Sequence, residues 1–324
     1  MVNPIFRCGS LILLGLVMIA ARPGAGSNQD SDKKPAATQQ PPSKYNDQTF
    51  RVTVDLINIF CSVWDKDTNS FVTNLAREDF TILEDNLKQD IKNFSREMNL
   101  PLTLAFLIDT SQSVAPKLKF EQEAATSFFH SVLRDRDRAM LLEFDSGVTL
   151  VQDFTSDPNK MAKQIRTLRA AGGTALYDAI YLACDEKLIR EMGRKAIVIL
   201  SDGEDQSSKT TFEQALEMAL KAEATIFSIS VNRGGFFGVG STKNGDRIMK
   251  QFAEESGGRA FFPFKVEELE DAFRQINQEL RSQYNIGYLS TNSKRDGSYR
   301  KVEVKIPEKN LKLNYRKGYY APGG

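Results

Sequence analysis

Two apolar runs in this chain each end on an aspartate that opens a polar cluster. Leu102-Thr103-Leu104-Ala105-Phe106-Leu107-Ile108 leads into Asp109 and then Thr110-Ser111-Gln112-Ser113. Ala196-Ile197-Val198-Ile199-Leu200-Ser201 leads into Asp202 and then Gly203-Glu204-Asp205. Two carboxylates and several hydroxyls, with no histidine or thiol among them, form an oxygen-only donor set. That set suits a hard divalent cation.

Continuous Val/Ile/Leu-rich runs separated by helical patterns read as strands of a parallel sheet buried on both faces. If both runs are parallel strands, Asp109 and Asp202 emerge at the same sheet edge, where open α/β sheets bind ligands. A third element, Gly172-Gly173-Thr174, stands between them at a helix start. Each piece has a plainer account. Ser113 and Thr174 are placed to cap the helices that follow, and Asp202-Gly203 reads equally well as a turn. Jointly the three pieces call for a metal.

The surrounding pattern sorts into a few regions. Residues 1–26 read as a cleaved export signal: Arg7, an apolar run from Leu11 to Ala21, and the small residues Gly24-Ala25-Gly26. The apolar run is too short to span a membrane, so no stable span is expected after cleavage. Residues 27–46, rich in Ser, Gln, Lys and Pro, read as a disordered tether. Residues 47–98 alternate as strands, with Val52, Val54 and Leu56 changing phase to Ile57, Ile59, Cys61 and Val63. Residues 99–282 alternate strand and helix, the mark of a parallel α/β sheet. Their last helix carries Leu269, Phe273, Ile276 and Leu280 on one stripe. Residues 283–324 return to β character, and so short a tail is expected to complete the N-terminal β module. The fold expected is therefore α/β: a mostly parallel, doubly wound, Rossmann-like domain inserted into a smaller antiparallel, β-sandwich-like module built from both termini.

Composition narrows the function classes. Lys+Arg and Asp+Glu number 43 and 42 among 324 residues, so bulk charge gives nucleic acid no purchase. Removal of the leader leaves Cys61 and Cys184, both on apolar patterns and expected to be buried free thiols. The single histidine, His130, falls in mid-helix, which leaves no Ser-His-Asp arrangement. Asp205 or Glu204 could act as a base beside a metal, so a metal-dependent phosphatase is the enzyme alternative, but a solvated loop accounts for both. A structural envelope scaffold that binds without the metal is the other alternative. The loop after Val231 reads Asn232-Arg233-Gly234-Gly235-Phe236-Phe237-Gly238. Phe236 and Phe237 form either an exposed recognition knob beside the metal or a small local core under the loop.

The D-x-S-x-S run at Asp109, the threonine loop and the strand ending before Asp202 together resemble a von Willebrand factor A-type domain with a complete metal-ion-dependent adhesion motif. The resemblance covers about Leu100 to Arg281. It implies one Mg2+, with Mn2+ or Ca2+ as alternatives, held by Asp109, Ser111, Ser113, Thr174 and Asp202. It also implies a protein partner that presents a glutamate or aspartate to the ion. The flanks, Glu78-Asp79-Phe80-Thr81-Ile82-Leu83-Glu84-Asp85 and Arg316-Lys317-Gly318-Tyr319-Tyr320-Ala321-Pro322, resemble a bacterial group of exported proteins related to that family. The expectation is an exported interaction protein without catalytic activity, periplasmic, extracellular or envelope-associated. An ATP-driven partner, found with some cytoplasmic relatives, conflicts with the leader.

Overall fold

Apolar residues at every second position make a strand with one core face. Ile57, Ile59, Cys61 and Val63 do this in β1 (Leu56–Asp65), where all four are buried. The computed structural model describes residues 56–96, 100–231 and 243–323. The expected leader and tether, Val52, Val54, and the loop with Phe236 and Phe237 lie outside them.

β2 (Ser70–Phe71) pairs with the end of β1. β3 (Thr81–Glu84) turns through Asp85 and Asn86, both at positive φ, into β4 (Leu87–Gln89), the two-residue hairpin these residue types favour. The sequence suggests one strand through Gln89–Phe94. Instead the chain leaves one sheet at Asp90 and joins another as β5 (Ile91–Arg96), because β4 pairs with β3 whereas β5 pairs with a C-terminal strand.

The α/β segment runs β6 (Leu102–Asp109), α1 (Leu118–Val132), β7 (Arg138–Phe144), β8 (Val148–Thr155), α2 (Pro158–Ile165), α3 (Leu176–Leu182), β9 (Arg194–Ser201), α4 (Phe212–Lys221), β10 (Ala224–Ser230), α5 (Lys243–Ser256), β11 (Ala260–Phe261) and α6 (Val266–Leu280). The sheet order is β11-β10-β9-β6-β7-β8, parallel except for β8, which runs antiparallel to β7. Every residue of β6 is buried. Leu104, Phe106 and Ile108 pack with residues of α1, α2 and α6 on one face, while Ala105 and Leu107 pack with residues of α3, α4 and α5 on the other. Coverage on both faces is why β6 and β9 read as unbroken apolar runs. The predicted stripe of α6 is buried throughout. The helix that follows Thr174 is short: α3 ends at Leu182 and gives way to a π turn, Ala183–Lys187, and a 3-10 turn, Leu188–Arg190.

Four strands follow: β12 (Gln283–Leu289), β13 (Tyr299–Lys305), β14 (Leu311–Asn314) and β15 (Gly318–Tyr320). They join the early strands in two antiparallel sheets, β14-β1-β12-β5 with β2 on β1, and β15-β13-β3-β4. Ile59, Cys61, Ile82, Tyr284, Tyr288 and Val302 share one apolar cluster between these sheets. Cys61 and Cys184 are both free and buried. Among the described residues no helix is long and apolar enough to cross a membrane.

Candidate metal centre

The chain runs outward from β6 through β7 and β8, then returns past β6 to begin β9 on the other side. β6 and β9 are therefore adjacent parallel strands whose connections leave in opposite directions, the place where such sheets open a crevice. Their register pairs Ile108 with Leu200, so the next residues out, Asp109 and Ser201, are neighbours at the sheet edge.

A run of short hydrogen bonds organises this edge. Ser201 Oγ donates to Asp109 Oδ2 at 2.6 Å, and the Ser111 amide donates to Asp109 Oδ1 at 2.8 Å. Ser111 Oγ and Ser113 Oγ are 2.9 Å apart, and Ser113 Oγ donates to Asp202 Oδ2 at 2.6 Å. The Glu204 amide donates to Asp202 Oδ1 at 3.1 Å and that of Gly203 to Ser201 Oγ at 3.0 Å. Asp109, Ser111, Ser113 and Asp202 thus stand in one connected array contributed by two strand ends.

The capping accounts of Ser113 and Thr174 do not hold. The residue before α1 is Lys117, that before α3 is Ala175, and neither helix start has a side-chain cap. Ser113 spends its hydroxyl on Asp202 instead. Asp202-Gly203 is a turn as well as part of the array: Gly203 has φ +76°, and a Cβ there would lie 2.6 Å from the Gly245 carbonyl, so only glycine fits.

Main-chain bonds bring the Thr174 loop to the same place. The Ala171 amide donates to the Thr110 carbonyl at 2.7 Å, and that of Gln112 to the Gly172 carbonyl at 3.2 Å. The Gln206 and Ser207 amides both donate to the Thr174 carbonyl at 2.9 Å. Thr174 is buried, 3% exposed. Asp205, the candidate base, accepts from the Tyr177 amide at 3.0 Å and from Ser208 Oγ at 2.6 Å. Its carboxylate serves the first turn of α3. His130 is exposed.

The electrostatics follow from depth. Burial pushes the Asp109 carboxyl up to about 6, hydrogen bonds from Ser111 and Ser201 oppose this, and the nearby Asp202 charge adds to it. Two acids held together in a buried pocket repel each other, and a cation between them would remove that cost. The donor set of carboxylate and hydroxyl oxygens fits a hard cation. Among the described residues no group of three or more His, Cys, Asp or Glu side chains stands ready to share an ion, so such a site draws on serine and threonine hydroxyls.

Two residues of this region are not foreseen from sequence. Ser201, the donor to Asp109, is the last residue of an apolar strand. Glu121 lies on the apolar face of α1 and is 1% exposed. The signal for Glu121 is its helical spacing from Leu118, Ala125 and Phe128, which puts an acid on a core stripe.

The chain resembles proteins from several sources. A Borreliella burgdorferi protein described as uncharacterized is 23% identical over 203 residues, 60% of this chain and 57% of its own length. The chain therefore spans little more than half of that curated relative. Among solved structures, the conserved hypothetical protein BatB from Bacteroides thetaiotaomicron is 17% identical, with 55% of this chain and 97% of that one covered, at TM-score 0.44. The vWF domain of the type V pili tip protein Mfa5 from Porphyromonas gingivalis is 15% identical, covering 56% and 95%, at TM-score 0.47. Proximal thread matrix protein 1 from the mussel byssus, described with a zinc-occupied MIDAS motif, is 17% identical, covering 60% and 48%, at TM-score 0.48. Residues 104–206, which contain most of β6, the threonine loop and the β9 edge, match the family described as von Willebrand factor type A domain.

Proposed function

We propose that this chain is an exported, metal-dependent protein-binding protein that captures an acidic side chain of a partner. The observation that carries this reading is the array in which Ser113 Oγ donates to Asp202 while Ser201 Oγ donates to Asp109. Asp109, Ser111, Ser113, Thr174 and Asp202 would hold the ion, Mg2+ in the first instance, with Mn2+ or Ca2+ as alternatives. A bound divalent ion would supply an electrophilic position that an outside carboxylate can fill. The protein's own residues do the rest. Ser201 and the Ser111 amide fix the Asp109 carboxylate, the Glu204 amide fixes Asp202, and Gly203 permits the tight return.

Only two carboxylates would offset the ion, since the three hydroxyls are neutral, and that balance leaves it receptive to a third acid from outside. A non-enzymatic role suits the chemistry present: Asp205 is engaged with α3 and His130 is exposed and remote in sequence. In this reading 99–282 form the adhesion domain, inserted into a β sandwich made from 47–98 and 283–324. Residues 1–26 direct export and 27–46 tether the protein in the periplasm, the envelope or the extracellular space. Recovery of a partner from native envelope fractions in Mg2+, lost in chelator and lost with Asp109→Ala, is the expected result. Undiminished capture by Asp109→Ala in chelator overturns it.

A further inference from the structure

Glu121 is a buried acid with nothing to bond. It sits in the first turn of α1, on the face that carries Leu118, Ala125 and Phe128 into the core. It is 1% exposed, and neither carboxylate oxygen has a hydrogen-bond partner. A buried polar group left unpaired is costly, and an alkyl side chain of similar size would cost nothing. Stability alone therefore does not explain a glutamate here.

Its surroundings point in one direction. Burial first, then the charges of Asp109 and Asp202, raise its pKa well above the ordinary value, while Lys117 acts the other way. Lys117 lies one turn earlier and donates its Nζ to the Val231 carbonyl, just past the end of β10. The two acids whose fields reach Glu121 are thus the two acids of the candidate centre. In their field a third carboxylate is unfavourable, and a divalent cation between them would cancel most of that field.

We propose that Glu121 is a positioning residue of the cation site, a buried charge that favours the ion through space without ligating it. This rests on the metal reading above. The unpartnered oxygens leave this carboxylate uncompensated by any hydrogen bond, and no group of three acidic side chains shares an ion directly among the described residues. Glu121 would also set the ion preference, because a third negative charge favours trivalent over divalent cations.

The test is calorimetric titration of the full chain with Mg2+ and, separately, with Tb3+, using wild type, Glu121→Gln and Glu121→Leu, alongside melting curves in chelator. Both variants are expected to fold, with Glu121→Leu melting at or above the wild-type temperature. Mg2+ affinity is expected to fall at least about tenfold in both, and Tb3+ affinity to fall further. Affinities equal to wild type, or the same loss for both ions, overturn the assignment of Glu121 alone. A wild-type chain that binds neither ion overturns the metal reading itself.

Discussion

Ser201 on β9 donates a 2.6 Å hydrogen bond to Asp109 on β6, across two parallel strands that meet side by side at the sheet edge. The bond joins residues 92 positions apart in the chain. It holds the more deeply buried of the two candidate acids in one orientation.

Ser201→Ala removes that donor and leaves a buried carboxylate oxygen without its partner. A loss of this kind costs about 1–3 kcal/mol. The variant should bind Mg2+ more weakly, by roughly ten- to a hundredfold, as read by calorimetric titration; unchanged affinity would show that the bond does not orient Asp109.

The pH dependence has a definite sign. Asp109 is raised from 3.8 to about 6 in the folded chain, so between these values the folded state binds more protons than the unfolded one. Stability in chelator is therefore greatest below the unfolded value, falls as pH rises through about 6, and stays reduced above it. The unfolding free energy of wild type relative to Asp109→Asn should therefore fall over this window by up to about 3 kcal/mol. Urea titrations from pH 4 to 7 measure it, and a flat difference contradicts the assignment.

Gly203→Ala forces a side chain into positive φ against the Gly245 carbonyl and the Met249 side chain. Strain of this type costs on the order of 1–3 kcal/mol. A lowered melting temperature together with weakened metal binding is expected, because the same turn carries Asp202.

Glu279 near the end of α6 is fully buried, accepting from Ser62 Oγ at 2.6 Å and Asn314 Nδ2 at 2.9 Å, with Arg259 Nε 3.2 Å away. Glu279→Ala strips Arg259 of its counter-charge beside Trp64 and Phe261. Removing one partner of a buried pair costs about 3–5 kcal/mol, which denaturant unfolding would detect. A loss below 1 kcal/mol would show that water replaces the pair.

Burial holds the thiols of Cys61 and Cys184 well above their ordinary pKa, and thiolate is the reactive form. Neither should react with an aromatic disulfide reagent in the folded chain, and both should react in denaturant. Rapid labelling of either one under native conditions would contradict the burial.

Much of the α/β segment is legible in the chain because buried parallel strands leave an unmistakable pattern. β6 and β9 fall where their apolar runs do, and the α6 stripe at 269, 273, 276 and 280 is buried as its spacing requires. β8 is not legible, since an edge strand half open to solvent keeps few apolar positions, and its register with β7 is irregular. The break at Asp90 is hidden too, because alternation continues while the chain changes sheets.

The sequence by itself determined the cluster of oxygen-bearing side chains at Asp109, Ser111, Ser113 and Asp202 and the strands that lead into it, since strand periodicity and residue chemistry are local properties. Only the tertiary structure decided that Ser113 bonds Asp202 instead of capping a helix, that Ser201 holds Asp109, and that Glu121 lies unpartnered in the field of both acids. Those relations depend on which strands lie side by side, and that adjacency is set by packing between residues far apart in the chain.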